Sequence, residues 1–166
     1  MKIKLRSITE NDSPKLFKWV NDPELIGFTN YFKPVSEVEH KNWFNSIFEK
    51  KDQVLFGIED EEKELLIGTC GLFQLDFISR KAELRIKLGD KNYWGSGAGT
   101  EAVKLLIKYG FENLNMNRIW LKVMEDNQRA SKSYEKVGFI IEGKLIKDMF
   151  VNNEYKNIIL MGLLNE

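Results

Sequence analysis

A glycine-rich segment between an apolar stretch and a helical pattern places the strongest constraint on this chain. Residues 94–100 read Trp-Gly-Ser-Gly-Ala-Gly-Thr, follow the strand-like stretch 80–89 and precede an amphipathic helical pattern. Glycine lets successive backbone N–H groups turn toward one point, and the following helix adds the positive end of its dipole. The segment therefore predicts a strand–loop–helix unit whose loop binds a phosphorylated ligand.

The segment differs from both common nucleotide-binding loops. A Walker loop continues with Gly-Lys-Ser/Thr, and no lysine follows Gly99. The dinucleotide fingerprint needs a glycine where this chain has Thr100, and a Rossmann domain usually opens with that loop. Taken alone, a flexible strand-to-helix connection that binds no ligand stays open as an alternative.

Size and charge limit the classes of function. The chain has 166 residues, enough for one domain with a real core, and 43% of them are apolar. Its 25 basic residues equal its 25 acidic residues, so no charge excess indicates nucleic acid or an anionic membrane as partner. The N-terminal residues 1–6 alternate like a strand, and no apolar run reaches the roughly 20 residues of a membrane span. We expect a cytoplasmic protein.

The sequence contains few of the residues that a metal site or a Ser-His-Asp catalytic triad requires. Cys70 is the one cysteine and lies in an apolar strand pattern, which predicts a small core residue. His40 is the one histidine and lies in a charged helical stretch without a supporting motif. We therefore expect no metal site and no catalytic role for His40.

Helical and strand patterns alternate along the whole chain. Asp12-Ser13-Pro14 and the capping box from Ser36 to Glu39 each begin a helix, and residues 22–35 between them suggest a loop or a broken helix. Apolar residues predict the inner face of the second helix at Phe44, Ile47 and Phe48, and that of the helix after the glycine loop at Val103, Leu106, Ile107, Gly110 and Phe111. Strands are predicted over 2–8, 53–59, 64–76, 80–89 and 118–124, with a final pair around a type I′ turn at Asn152-Asn153. The pattern favours an α/β or α+β fold, with residues 1–166 forming a single three-layer domain around a mixed sheet.

A second informative segment spans residues 127–139. Asn127 is a good helix N-cap, and Gly138 ends the helix before a strand that begins at Phe139. Ala130 and Tyr134 are one helical turn apart on the same face. By itself the pattern fits an ordinary core tyrosine with its hydroxyl at the rim.

Together the two segments resemble the GCN5-related N-acetyltransferases (GNAT superfamily). The chain is most similar to the branch that holds ribosomal-protein N-terminal, spermidine and aminosugar acetyltransferases. The family loop Arg/Gln-x-x-Gly-x-Gly/Ala maps onto residues 94–99, with Trp94 in place of the usual Arg or Gln. The family segment Asn-x-x-Ala/Ser-x-x-x-Tyr-x-Lys-x-Gly-Phe maps onto 127–139, and the likeness extends over the whole chain.

The resemblance implies a mostly antiparallel mixed sheet and acetyl-CoA as cosubstrate. It implies that the acetyl group moves directly to an amine, with neither a metal nor an acyl-enzyme. It assigns Tyr134 as the general acid that protonates the departing thiolate, and Glu83 on the preceding strand as the base. It assigns the following residues to the cofactor: Ile86, Lys87, Leu88, Trp94, Gly95, Ser96, Gly97, Ala98, Gly99, Thr100 and Asn127.

A base is useful because only a neutral amine attacks. With an amine pKa near 10.4, roughly one molecule in a thousand is neutral at pH 7. The alternative interpretation of Glu83 is an exposed strand carboxylate paired with Arg85 or Lys81.

The acceptor is the least defined part of the prediction. We expect its site within residues 19–48, with Trp19, Asp22, Glu24, Phe28, Tyr31 and Trp43 as candidate lining residues. The predicted acceptor is a small primary amine such as an aminosugar, an aminoglycoside or a polyamine, although the acidic pairs of spermidine acetyltransferases are not evident in residues 27–33. A protein N-terminus as acceptor, a catalytically silent acyl-CoA-binding module and a homodimer stay open.

Overall fold

The computed structural model describes residues 1–27 and 33–166, and seven strands and five α-helices make up this part of the chain. The helices are α1 (Ser13–Val20), α2 (Pro23–Ile26), α3 (Glu37–Ser46), α4 (Ala98–Glu112) and α5 (Gln128–Val137). The strands are β1 (Ile3–Arg6), β2 (Val54–Asp60), β3 (Leu65–Asp76), β4 (Lys81–Leu88), β5 (Arg118–Met124), β6 (Ile140–Val151) and β7 (Glu154–Leu164).

One sheet contains all seven strands, in the order β1-β2-β3-β4-β5-β7-β6. Neighbouring strands are antiparallel except β4 and β5, which are parallel and connected through α4. The parallel pairing covers three residue pairs, from Lys81↔Arg118 to Glu83↔Trp120. Within the described chain the two strands pair no further, so the sheet opens between them. The mixed, mostly antiparallel sheet confirms the predicted fold class.

Helices cover both faces of the sheet. On one face α4 and α5 pack over a large core that includes Ala82, Leu84 and Leu106. On the other face a smaller core joins α1 and α3 to the sheet through Leu16, Phe44 and Leu66. Alternate residues of β4 point to opposite faces, which gives the three-layer arrangement that the sequence predicts.

Local sequence sets the ends of the two helices nearest the opening. Gly97 precedes α4 with φ +91°, a left-handed conformation that favours glycine. Asn127 caps α5 by accepting a hydrogen bond from the Ala130 N–H at 3.3 Å, and Gly138 ends it with φ +106°. Asn152 and Asn153 both have positive φ between β6 and β7, as the predicted type I′ turn requires.

Some helix predictions need correction. Phe48 lies beyond the end of α3 and is 59% exposed, because the helix stops at Ser46 before the apolar spacing can turn Phe48 inward. For the first helix the apolar residues of the sequence predict a buried face at Leu16, Phe17 and Val20, but the buried positions of α1 are Leu16 and Trp19, and Phe17 and Val20 are only partly buried. Phe28 and Tyr31 lie outside the described residues. No helix in the described part of the chain is long and apolar enough to cross a membrane.

Candidate active site

A cleft of about 390 Å³ begins where β4 and β5 diverge. β4 contributes Ile86, Lys87 and Leu88, the glycine loop follows directly, and α5 forms the opposite wall. Of the predicted site residues, those that line the cleft are Ile86, Lys87, Leu88, Trp94, Gly95, Gly97, Gly99, Thr100, Asn127 and Tyr134. The two predicted motifs therefore meet across one opening.

The glycine loop presents backbone donors to this cleft. Gly95 and Gly97 have φ +74° and +91°, and a Cβ added at either position would meet no atom within 4 Å. Among the described backbone hydrogen bonds, the N–H groups of Gly95, Gly97, Gly99 and Thr100 have no acceptor. Unpaired N–H groups at a helix N-terminus are donors for a phosphate.

Ser96 and Ala98 support the loop without lining the cleft. The Ser96 hydroxyl donates to the Tyr93 carbonyl at 2.6 Å and accepts from the Ala98 N–H at 3.3 Å. Ala98, the first residue of α4, is fully buried. These contacts hold the turn, and the cofactor role predicted for both residues stays a prediction.

Trp94 closes the end of β4 where the family usually has Arg or Gln. Its indole N–H donates to the Leu88 carbonyl at 3.0 Å, and the Arg129 guanidinium lies 4.4 Å from the centre of its ring. Gly99 approaches the same strand, because a Cβ there would lie 3.3 Å from Leu88 Cδ1.

A basic rim on α5 was not predicted from the sequence. Arg129, Lys132 and Lys136 are exposed and all line the cleft. Their spacing of three and four residues places them on one helix face, which is the signal that could have found them. Cations beside a helix N-terminus suit a ligand with several phosphates.

Tyr134 lies on the inner side of α5. Its ring is buried and packs edge-on against Phe139 at 5.9 Å between centroids. Its hydroxyl has no hydrogen-bond partner among the described residues, and no buried polar side-chain atom there lacks a partner, so the hydroxyl must reach the open space of the cleft. Burial raises the pKa of Tyr134 to about 12, so the phenol keeps its proton at neutral pH.

Glu83 lies on the face of β4 opposite to Ala82 and Leu84, in the part of the strand that still pairs with β5. It is buried rather than exposed, and it does not line the cleft. Its Oε2 accepts from Arg85 Nη2 at 2.6 Å and from Gln74 Nε2 at 3.2 Å. Both bonds use one oxygen, and Oε1 has no partner within the described chain.

Lys87 is two positions beyond Arg85 on the same face of β4. It is partly buried, it lines the cleft, and its ammonium has no hydrogen-bond or salt-bridge partner among residues 1–27 and 33–166. Burial lowers the pKa of Lys87 below that of a free lysine side chain.

The predicted acceptor residues are mostly engaged elsewhere. Trp19 is buried directly against Gly89, where a Cβ would lie 2.0 Å from its ring. Asp22 and Glu24 both form salt bridges with Lys91 Nζ, at 2.9 and 2.8 Å. Trp43 is 41% exposed beside His40 rather than in the cleft.

His40 and Cys70 are both buried in the packed interior of the protein. His40 is a buried residue of α3, and its Nε2 lies 3.0 Å from both the hydroxyl and the carbonyl oxygen of Ser13 in α1. Cys70 is buried in β3, and burial raises its pKa to about 12. The described side chains form no cluster of three or more metal-binding groups.

Known proteins are similar to this chain in sequence and in fold. The family model for an acetyltransferase (GNAT) domain matches residues 2–140. Spermidine N(1)-acetyltransferase of Escherichia coli K12 is 30% identical over 162 residues, covering 96% of this chain and 84% of that protein. An N-acetyltransferase of Bacillus licheniformis, p20, is 34% identical over 147 residues, covering 87% of this chain and 82% of its own.

A solved structure extends the likeness to three dimensions. Spermidine N-acetyltransferase from Vibrio cholerae, in complex with CoA and spermine, superposes with a TM-score of 0.91 at 26% identity, covering 98% of this chain and 95% of that one. These matches confirm the predicted family and enzyme class. With a strand–loop–helix cradle, an inward tyrosine and a family model over residues 2–140, the chain is an N-acetyltransferase of the GNAT superfamily.

Proposed function

We propose that the protein transfers the acetyl group of acetyl-CoA directly to a small primary amine, with Tyr134 as general acid. The observation that carries the proposal is the Tyr134 hydroxyl, which has no hydrogen-bond partner among the described residues and opens into a cleft that is also lined by the glycine loop with its unpaired N–H donors. The pyrophosphate and the thioester of acetyl-CoA need these two features in one site.

The cleft suits CoA along its length. The N–H groups of Gly97, Gly99 and Thr100 would hold the pyrophosphate, with Arg129 and Lys132 neutralising its charge. The edge of β4 at Ile86–Leu88, which does not pair with β5 in the described chain, would hydrogen-bond the pantetheine arm in the way a strand does. The related Vibrio cholerae structure contains CoA, which supports this assignment.

The reaction needs one proton removed and one supplied. The neutral amine nitrogen attacks the thioester carbonyl carbon, and the oxyanion accepts a main-chain N–H of the β4 edge. The C–S bond then breaks, and Tyr134 gives its proton to the leaving thiolate. Holding both substrates in one cleft supplies much of the rate enhancement.

Glu83 would remove the amine proton through water. Its carboxylate is fixed by Arg85 and Gln74 through Oε2, and Oε1 is left for a water molecule. β4 places Glu83 about 10 Å from Ile86, since each residue advances the strand by roughly 3.3 Å. That distance requires a water relay rather than direct contact.

Steady-state assays test the proposal. Purified protein with acetyl-CoA and a panel of amines should release free thiol only when an amine is present, and mass spectrometry should show the acetylated amine. Acetyl-CoA binding without amine-dependent thiol release would instead identify a silent acyl-CoA-binding module. Turnover restricted to peptides with a free N-terminus would identify a protein acetyltransferase.

We also propose that the protein is a homo-oligomer that associates through the β6–β7 hairpin. β6 is an edge strand, and Ile141, Ile146, Phe150 and Tyr155 on this hairpin are each at least 55% exposed. Exposed apolar groups on an unpaired edge mark a contact surface. A related Vibrio cholerae enzyme is dodecameric. Ile146→Asp should lower the mass measured by light scattering, and an unchanged mass would exclude this surface.

A further inference from the structure

All of the charged side chains in the described lining of the cleft are positive. Its described lining contains four basic side chains, Lys87, Arg129, Lys132 and Lys136, and no carboxylate. The three on α5 lie on the rim beside the glycine loop, where phosphates are expected. Lys87 is separate from them, on β4 beside the position proposed for the thioester.

Carboxylates on β4 and at the start of α2 are already paired with cations. Glu83, on the same face of β4, is paired with Arg85 at 2.6 Å. Asp22 and Glu24 are both paired with Lys91. The sequence of residues 28–32, Phe-Thr-Asn-Tyr-Phe, supplies no acid either. An acceptor with several positive charges would find no carboxylate in the described lining of the cleft and would be repelled by Lys87.

An unpaired ammonium that is partly buried has an energetic cost. Such a charge loses hydration without gaining a partner, and natural proteins seldom keep one without a role. An anionic oxygen group brought by a ligand would remove this cost and would give a charge-assisted hydrogen bond.

We infer that Lys87 is a specificity-determining residue that binds an anionic group on the acceptor, so that the substrate is a primary amine that also carries a carboxylate or a phosphate. This inference rests on the proposed function. It separates this chain from relatives whose names specify spermidine, because a polyamine carries only positive charge.

Matched acceptors test the inference without any mutation. Pairs that differ only in the anionic group are compared by kcat/KM: amino acids against their amides, and glucosamine 6-phosphate against glucosamine, with spermidine as the polycation. The two pairs distinguish carboxylate from phosphate. We expect at least one anionic member to exceed its neutral partner tenfold or more, as a charged hydrogen bond allows.

Variants then locate the effect. Lys87→Met should reduce the preferred pair's ratio to about threefold or less, while Lys87→Arg keeps most of it. Lys81→Met is the matched control, because Lys81 is exposed on the same face at the opposite end of β4, and it should leave the ratio unchanged. Thermal unfolding and acetyl-CoA binding confirm that each variant is folded.

Three results would overturn the inference. Spermidine or the neutral partners could be the better substrates, the ratio could survive in Lys87→Met, or Lys87→Met could raise only the KM for acetyl-CoA, which would place Lys87 in the cofactor site. If no amine at all is acetylated, the proposed function fails and the inference fails with it. Turnover without anionic preference removes the inference alone.

Discussion

The two ends of β4 differ although they belong to one strand. At Glu83 the strand pairs with β5, and the charged side chains on its outer face satisfy each other. At Lys87 the neighbouring strand has moved away, and the charge there has no protein partner in the described chain. The closed end contributes stability, whereas the open end leaves donors and a cation available for ligands. The groups proposed to bind ligands therefore lie where β4 and β5 are no longer paired.

The largest effect is expected at the open end, for Tyr134→Phe. The ring should still pack against Phe139, but the leaving thiolate loses its proton donor. We expect kcat to fall by roughly 10²–10³ while acetyl-CoA affinity changes little. Single-turnover kinetics and a binding titration measure the two quantities. Near-parental kcat in a folded variant would remove Tyr134 as the acid.

The next largest effect is expected at the glycine loop, for Gly97→Asp. This change adds a negative charge where a phosphate is held and a Cβ at φ +91°. We expect acetyl-CoA affinity to fall by about 10²-fold, measured by calorimetry. Gly97→Ala is the control for backbone strain alone and should lose less. Equal losses in the two variants would mean that strain, and not charge, explains the effect.

A smaller effect is expected at the closed end, for Glu83→Gln. If Glu83 relays the amine proton through water, kcat/KM should fall by roughly tenfold at neutral pH and less at high pH, where more amine is already neutral. The pH–rate profile measures this. A uniform loss at every pH, together with a lower melting temperature, would show that the Arg85–Glu83 pair only supports the strand.

The smallest effect is a gain in stability from Lys87→Met. Because burial lowers the pKa of Lys87, the folded protein holds its proton less tightly than the unfolded chain does. The resulting cost is greatest below the folded pKa and disappears as pH rises toward 10.5. Removing the charge should raise Tm by about 2–4 °C at pH 7, and by less near pH 10. Lys81→Met should show no such gain.

Sequence reasoning succeeded where the determining contacts are local. Gly97 and Asn127 fix their helix ends by their own conformations and hydrogen bonds, so the cradle and α5 could be predicted within a few residues. The fold class followed from these local patterns together with the family resemblance.

The features of the site that the sequence did not predict depend on contacts between residues that are far apart in the sequence. Asp22 and Glu24 read as free carboxylates in the sequence, and only the fold brings Lys91 to them. The burial of Glu83 and the lack of a described partner for Lys87 depend on where β4 and β5 separate. No residue type in either strand indicates that position in the sequence. Charge pairing across such separations is a tertiary property.

The contact between β4 and β5 has the fewest residue pairs of any strand pairing in the described sheet. Three residue pairs join two half-sheets, while β5 and β7 alone share seven. The core under α4 and α5 contains residues of both half-sheets, so local opening in the empty protein should begin at the seam rather than separate the halves. Amide hydrogen exchange should then be faster at the open end of β4 than in its paired part, and acetyl-CoA bound along the seam should slow it. Bound acetyl-CoA would therefore stabilise the contact between the two halves of the sheet as well as supply the acetyl group.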